Sequence, residues 1–226
     1  MMRQIRPYKM FTLLREPPAE RIANVVIPSR RGFGGTSILE TFLIITGARI
    51  VEASNIFEFG TFLGSNTYNM ALNTREDARI FTLDLDDHSR TDLDQHPEDA
   101  SLTNLHLASG SLDFSGTPVE NKIECLTGDS TRFDFSPWKE SIDLSFIDGG
   151  HDLATVKSDS QNAFEMAIVG KLSCILWHDY KNIQYPDLTN FLDELASERN
   201  IFHIAETMLC VWFNDPTQSI LPQLLS

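Results

Sequence analysis

The run from Ile56 to Thr67 constrains the fold of this chain more than any other segment. It opens with IFEF, which is typical of a buried strand, and Gly60 and Gly64 then follow before a helical pattern begins near Ser65. A strand that leads through a glycine turn into a helix is characteristic of open α/β sheets, which bind ligands at the carboxyl ends of their strands. The spacing Glu-x-Gly-x-x-x-Gly differs from the three-glycine fingerprint of dinucleotide-binding folds.

Length and charge narrow the class of protein. The 226 residues suffice for one α/β domain with a large core, and an apolar fraction of 42% is ordinary for a globular protein. The net charge of −14 disfavours a nucleic-acid partner, because such binders present basic surfaces and the basic residues cluster only at Arg30–Arg31. We therefore expect a small-molecule substrate and neither a nucleic-acid nor a membrane partner; a homodimer stays open.

The cysteines and the N-terminus bear on the compartment. Cys125, Cys174 and Cys210 lie in apolar, strand-like runs, and an odd number in such settings indicates reduced thiols. The N-terminus has no apolar region of the signal-peptide type, and the longest apolar stretch, around Ile38–Ile45, is too short to span a bilayer. These features predict a cytoplasmic protein.

Strand-like and helix-like segments alternate along most of the chain. The seven predicted strands are Ile56–Phe59, Arg79–Leu83, Ile123–Leu126, Ile142–Ile147, Ser173–Trp177, Ile201–Ala205 and Met208–Phe213. Alternation with helices predicts a mostly parallel sheet covered on both faces. The last two strands are joined by a turn too short for a parallel crossover, so they predict a C-terminal antiparallel hairpin.

The chain divides into an arm and a domain. Residues 1–35 carry several prolines and a glycine-rich loop, which predict an irregular N-terminal arm with one short element near Tyr8–Leu14. Residues 36–226 form the predicted domain, whose first helix starts at Thr36 or Ser37 and stops at Gly47. The polar segment 86–120 is predicted as an insertion; a lid, a substrate-binding element and a plain surface loop all remain open.

Acidic or polar residues lie at, or directly after, the ends of five of the predicted strands. They are Glu58, Asp84, Asp129 with Ser130, Asp148 and Asp179. The carboxyl ends of parallel strands meet at one edge of the sheet, where ligands bind in open α/β folds. The pattern therefore predicts a single shared site.

Taken together, these segments resemble the class I S-adenosylmethionine (SAM)-dependent methyltransferases over about residues 36–213. The resemblance is greatest to the small-molecule O-methyltransferases of the catechol, caffeoyl-CoA and macrocin types. It is carried by FEFGTFLGSNTYNMA, IFTLDLD, IECLTGDS, SIDLSFIDGGHDLATVKSD and GKLSCILWHDY. It implies a Rossmann-like, seven-stranded methyltransferase sheet and transfer of the SAM methyl group to a hydroxyl of a small molecule.

Other functions remain open at this point. An N-methyltransferase, a sugar- or macrolide-modifying relative and a non-catalytic SAM-binding protein would share the same cofactor motifs. A nucleotide-dependent oxidoreductase is disfavoured, because the three-glycine fingerprint is missing.

The resemblance implies a position for the methionine part of SAM. Glu58, Gly60 and Gly64, with Thr61 between the glycines, match the family's glycine-rich loop. Glycines at such a turn let backbone N–H groups approach a small ligand closely.

The resemblance also implies contacts to the nucleoside part of SAM. Asp84, in preference to Asp86, matches the acid that binds the ribose hydroxyls, since a carboxylate can accept two hydroxyl hydrogen bonds. Asp129 and Ser130 match the position that contacts adenine, although both are also common in turns and helix caps. Asp148 completes the expected cofactor-binding set.

The resemblance implies that the catalytic and metal-binding residues lie at the ends of two later strands. Asp148 matches an acid that binds a divalent metal, and His151 stands where the family carries a catalytic base; a histidine can take a proton near neutral pH. Asp179 and His178 match further metal positions, but Tyr180 replaces an expected asparagine. Mg²⁺ or another divalent cation and a metal-free mechanism with Asp148 and His151 are therefore both open.

Overall fold

In the computed structural model of the protein, residues 2–27, 35–85 and 97–225 are described. Strand and helix segments build one mixed sheet with helices on both faces. The strands are β1 Arg3–Ile5, β2 Asn55–Phe59, β3 Arg79–Asp84, β4 Ile123–Thr127, β5 Leu144–Ile147, β6 Ser173–Trp177, β7 Phe202–Ile204 and β8 Cys210–Asn214. The helices are α1 Pro7–Thr12, α2 Ile38–Ile50, α3 Ser65–Leu72, α4 Pro97–Ser109, α5 Leu153–Met166, α6 Pro186–Glu198 and α7 Ile220–Leu225.

The order of the strands is β1-β7-β8-β6-β5-β2-β3-β4. Every neighbouring pair is parallel except those that involve β8, which runs antiparallel to both β6 and β7. The predicted mostly parallel sheet and its antiparallel C-terminal hairpin are therefore confirmed. The chain runs outward from β2 through β3 to β4 and then returns to place β5 on the other side of β2, so β2 and β5 flank a topological switch point.

The strand count differs from the predicted seven. β1 adds an eighth strand from within the N-terminal arm, and it pairs in parallel with β7, with Arg3 opposite Phe202 and Ile5 opposite Ile204. The sequence does not reveal this strand, because it has three residues of which only Ile5 is buried. A strand of that length carries too little alternation to be recognised.

Helix α2 starts as predicted but does not end at Gly47. The Ser37 side chain accepts from the backbone N–H of Glu40, and the Glu40 carboxylate accepts from the backbone N–H of Ser37, which makes a capping box. The helix continues to Ile50 because Gly47 packs against the sheet: a Cβ there would lie 3.0 Å from Cδ1 of Leu176. This glycine permits close packing and is not a stop signal.

Apolar side chains cover both faces of the sheet. One cluster joins β2, β5 and β6 to α1, α2 and α7, with Leu43, Leu144 and Leu176 at its centre. The other packs Phe57, Trp177 and neighbouring residues of the sheet under α5 and α6. With both faces filled, the carboxyl edge of the parallel strands is left to bind ligands.

None of the helices in the described ranges is both long and apolar enough to cross a membrane.

Candidate active site

A cleft of about 820 Å³ opens at the carboxyl edge of the sheet, at the switch point between β2 and β5. This volume lies within the range of small-molecule sites. Its walls include the glycine turn after β2, the ends of β3 to β6, and part of α4. All the acidic strand ends except Glu58 line it, so the structure brings most of the predicted site residues together.

Gly60 is required by the geometry of the turn after β2. Its φ is +92°, and a Cβ would lie 2.3 Å from the backbone oxygen of Asp148. The backbone N–H of Asp148 donates to the oxygen of Phe59 at 2.9 Å, which holds the two strand ends together. Any larger residue would push apart the two walls of the cleft.

Gly64 has a different surrounding. It precedes α3 with φ +82°, and a Cβ there would lie 2.7 Å from the ring of Phe114. Phe114 belongs to the predicted 86–120 insertion and is buried. Gly64 is not among the residues that line the cleft, so in this structure it seats the insertion against the glycine turn.

Glu58 lies behind the cleft wall and not on it. The side chain is 1% exposed, and Oε2 accepts hydrogen bonds from the hydroxyls of Thr67 and Thr82, the latter at 2.6 Å. Thr61 extends this cluster, with its hydroxyl 2.7 Å from that of Thr82. Burial raises the pKa of Glu58 to about 8, although the two threonine hydroxyls act in the opposite direction. The carboxyl group thus ties β2, β3 and α3 together beneath the turn.

Asp84 lines the cleft at the end of β3. Its Oδ2 accepts from the backbone N–H of Phe62 at 2.7 Å and Oδ1 from that of Leu85 at 2.8 Å. Each oxygen keeps a lone pair for a ligand hydroxyl. The competing Asp86 lies outside the described residues.

Asp129 and Ser130 line the cleft after β4. Asp129 Oδ1 accepts from the backbone N–H and the hydroxyl of Thr131, at 2.9 and 2.7 Å. Facing them from α5 is Asp159, which is 1% exposed and also lines the cleft. Burial raises the pKa of Asp159 to about 7, helped by the nearby charges of Asp152 and Asp129.

His151 is held between two carboxylates. Its Nδ1 is 2.7 Å from Oδ1 of Asp99, and its Nε2 is 2.8 Å from Oδ2 of Asp179. The second oxygen of Asp99 accepts the backbone N–H of His151 at 3.0 Å. The ring of Tyr185 stacks on the imidazole with centroids 3.9 Å apart and planes 7° from parallel. Hydrogen bonds at both ring nitrogens and stacking on Tyr185 therefore fix the orientation of the imidazole.

The network continues to His178. Its Nδ1 lies 3.1 Å from Oδ1 of Asp148 and 3.0 Å from Oδ2 of Asp179, and its Nε2 lies 3.5 Å from Oε1 of Glu40. Two imidazole rings thus contact four carboxylates, of which Asp99, Asp148 and Asp179 line the cleft and Glu40 lies behind it. Asp179 has φ +61°, a left-handed conformation that Asp tolerates better than most residues.

These contacts set the charges of the network. Burial lowers the pKa of His151, but hydrogen bonds and charges of Asp179 and Asp99 outweigh it and raise the pKa to about 10. Burial lowers the pKa of His178, but the neighbouring carboxylates outweigh it and raise that pKa well above its ordinary value. Burial raises the pKa of Asp179, but His151 and His178 outweigh it and lower that pKa. Glu40 is also ionised: burial raises its pKa, and His178 with two backbone N–H groups lowers it to about 2.

The surroundings of His151 bear on its expected role as a base. The sequence analysis predicts a histidine that takes a proton near neutral pH. Between Asp99 and Asp179 the ring already carries both protons at that pH, because each nitrogen faces a carboxylate. A ring that carries both protons orients and neutralises the two carboxylates, and the catalytic role of His151 stays a prediction.

Three of these groups are placed to hold a cation. One ligand atom each from Asp148, His178 and Asp179 lie within 4.8 Å of one another. Two carboxylates and an imidazole suit Mn²⁺, Fe²⁺, Co²⁺ or Zn²⁺ better than Mg²⁺, which prefers oxygen ligands. Tyr180 does not belong to this set, because its hydroxyl points away and donates to Asp193 at 3.0 Å.

The sequence analysis misses three side chains of the site. Glu40 is hidden in the capping box of α2, Asp159 lies inside α5, and Asp99 lies in the polar insertion. None follows a strand, so the strand-end pattern could not select them. Asp159 could have been found as a polar residue on the inner, mostly apolar face of α5.

Comparisons with known proteins agree with this architecture. A family model described as "Methyltransferase domain" matches residues 57–180. No curated protein sequence matches the chain.

Solved structures show the same fold at low identity. The O-methyltransferase TomG from Streptomyces achromogenes, in complex with SAM and involved in tomaymycin synthesis, is 15% identical with a TM-score of 0.54, covering 80% of each chain. An O-methyltransferase from Bacillus cereus in complex with SAH is 15% identical with a TM-score of 0.55, covering 91% of this chain and 90% of that one. The SAH-bound methyltransferase PaMTH1 from Podospora anserina is 15% identical with a TM-score of 0.54, covering 93% and 89%.

Proposed function

The chain belongs to the methyltransferase domain family, and on this premise we propose that it transfers the methyl group of SAM to a hydroxyl oxygen of a small molecule. The observation that carries the proposal is the cleft at the β2–β5 switch point, where the glycine turn faces the network of Asp148, His151, His178 and Asp179. One wall suits a methyl donor and the other suits a polar acceptor.

The charge of the cleft supports SAM as the donor. Among the described residues that line it, no lysine or arginine occurs, and the acids are Asp84, Asp99, Asp129, Asp148, Asp152, Asp159 and Asp179. A sulfonium cation is stabilised in such a field, whereas the product of methyl transfer has lost that charge. Gly60 lets the turn pack directly against the backbone of Asp148, and Asp84 has free lone pairs for two hydroxyls.

In the proposed reaction the acceptor oxygen attacks the methyl carbon as the carbon–sulfur bond breaks. The acceptor hydroxyl donates to Asp148, which is the most exposed carboxylate touching His178, with 18% of its side chain accessible. Asp148 takes the hydroxyl proton, while His151 and His178 hold the surrounding carboxylates in place. Most of the acceleration comes from aligning the oxygen with the methyl group.

A divalent cation fits the same network. Asp148, Asp179 and His178 would hold it, and when bound it would stabilise negative charge on the acceptor oxygen. Asn182 donates a hydrogen bond to Oδ1 of Asp179 at 2.7 Å and so orients this carboxylate.

The cysteines support a cytoplasmic location as part of the proposal. Cys174 and Cys210 are buried on β6 and β8 as free thiols, and Cys125 is a free thiol on the exposed edge strand β4. Free thiols persist in reducing compartments.

Calorimetry and a transfer assay test this function. We expect the purified chain to bind SAM and SAH, and to convert SAM to SAH with at least one compound from a panel of mono- and dihydroxylated aromatics. At saturating SAM, Asp148→Asn should slow transfer by about 10²-fold or more, because Asp148 is the proposed proton acceptor. No heat with SAM or SAH, together with binding of NAD, would contradict the proposal.

A further inference from the structure

Phe62, in the glycine turn after β2, has a backbone conformation that is uncommon for its residue type. Its φ is +47°, and the backbone N–H of Gly64 donates to the oxygen of Thr61 at 2.8 Å, so Phe62 is the second residue of a β-turn. Turns with a positive φ at that position mostly carry Gly, Asn or Asp there. Such strain persists only where the surrounding structure holds the residue in place, and it concentrates at ligand sites.

Two side chains hold the backbone of Phe62. Its N–H donates to Oδ2 of Asp84 at 2.7 Å, and its carbonyl oxygen is hydrogen-bonded to Nδ1 of His106. A carbonyl oxygen can only accept, so Nδ1 carries the hydrogen and donates it. Because the two hydrogen bonds lie on either side of the Cα atom, they fix the backbone dihedral angles of Phe62.

His106 lies on α4, and the segment that follows this helix holds the next carbonyl group of the turn. The backbone N–H of Asp113 donates to the oxygen of Leu63 at 2.8 Å. His106 lines the cleft together with Phe62 and Asp84, whereas Asp113 is not among the lining residues. The predicted 86–120 insertion therefore clamps two successive carbonyl groups of the turn, and His106 is the clamp on the side of the cleft.

Resting on the proposed function, we propose that His106 is a positioning residue for the cofactor. Its hydrogen bond keeps Phe62 in the left-handed conformation, and the N–H of Phe62 then orients the Asp84 carboxylate towards the ribose hydroxyls of SAM. Without this bond the turn relaxes, and Asp84 loses one of the two backbone N–H groups that orient it. His106 thus acts through Phe62 and Asp84 and not by touching the cofactor.

Substitutions of His106 test the hydrogen bond, because asparagine and glutamine place their amide groups at different points. The amide nitrogen of asparagine reaches the position of Nδ1, whereas that of glutamine reaches the position of Nε2. In calorimetry, His106→Leu and His106→Gln should weaken SAH binding by about 3- to 10-fold, as expected for the loss of one hydrogen bond. His106→Asn should stay within about 2-fold of wild type, because it keeps the donor.

A second ligand separates positioning from a general loss of structure. The 2′-deoxyribose analogue of SAH lacks one of the hydroxyls assigned to Asp84, so wild type should bind it about 10-fold or more weakly than SAH. His106→Leu should reduce this preference to about 3-fold or less, because Asp84 is no longer oriented. A merely structural defect would weaken the binding of both ligands equally and leave the preference unchanged.

Leu105→Ala is the matched control on α4. Leu105 directly precedes His106, is 40% exposed and is not among the residues that line the cleft. Its substitution perturbs the helix without removing the bond to Phe62, so affinity and preference should both equal those of wild type. A loss as large as that in His106→Leu would overturn the specific role of His106.

The outcomes distinguish the two proposals. If wild type binds neither SAM nor SAH, the proposed function fails. If wild type binds SAH, the role of His106 alone is overturned by any of three results: equal binding of SAH and its 2′-deoxy analogue by wild type, an unchanged preference in His106→Leu, or His106→Asn as impaired as His106→Leu. Should His106→Leu not fold, as judged by circular dichroism, His106→Gln decides, since it keeps a polar side chain at the cleft.

Discussion

Glu58 shows how one residue can serve a site that it does not touch. It lies at the end of β2, where the sequence predicts a contact to the cofactor. Its carboxyl group is nevertheless 1% exposed and accepts hydrogen bonds from the hydroxyls of Thr67 and Thr82. A carboxyl group without contact to water is stable in its neutral form, which explains its pKa of about 8. Its effect on the glycine turn is exerted through β3 and α3.

The pKa of Glu58 predicts a dependence of stability on pH. Below about pH 4.5 this group is protonated in both the folded and the unfolded chain, so its contribution is complete. As the pH rises towards 8, the unfolded chain gives up the proton while the folded chain retains it, so stability falls. Urea unfolding at several pH values should show this fall in wild type and a smaller one in Glu58→Gln.

Glutamine is the matched replacement, because its amide oxygen can still accept from both threonine hydroxyls. Asp159 contributes a slope of the same sign and remains in both proteins, so the difference between the two curves belongs to Glu58. Identical curves would mean that Glu58 is ionised in the folded protein.

At the scale of elements, α4 carries the part of the site that the sequence hides. The polar composition of residues 86–120 predicts an insertion and a helical pattern at Leu102–Leu107, and the structure has a helix at Pro97–Ser109. It does not predict that Asp99 is buried against His151, since that contact joins residues 52 positions apart. Periodicity shows which elements form and not which loops return to the sheet edge.

Asp99 therefore anchors α4 to His151. We expect Asp99→Asn to increase hydrogen exchange of α4 amides by about 10-fold or more, because a hydrogen bond to a charged group contributes about 1.5–3 kcal/mol. Ser101→Ala is the control, since Ser101 is exposed on the same helix and its hydroxyl donates to the backbone oxygen of Pro97 one turn earlier. The amides of α6 serve as the internal reference.

Equal exchange in wild type and Asp99→Asn would show that α4 docks through its apolar residues alone. Faster exchange in α4 and α6 together would instead indicate general loss of stability.

At the scale of the molecule, alternation of strands and helices was enough to predict the parallel sheet and its antiparallel end. The acids at the ends of β3 to β6 then predicted a common site, because parallel strands share an edge. The charge state of His151 could not be predicted, since it depends on Asp99 and Asp179, which approach from different elements. The eighth strand was not predicted, because three residues are too few to show the alternation of apolar and polar side chains.

The N-terminal arm contributes to the same core. Met10 on α1 is fully buried in the cluster that includes Leu43 and Phe202, so we expect Met10→Ala to lower the free energy of unfolding by about 2–5 kcal/mol. Tyr8→Ala on the same helix is the control, because Tyr8 is 51% exposed, and its effect should stay within about 0.5 kcal/mol. Urea unfolding measures both. A change below about 0.5 kcal/mol for Met10→Ala would mean that the arm detaches before the domain unfolds, and that β1 adds little to the sheet.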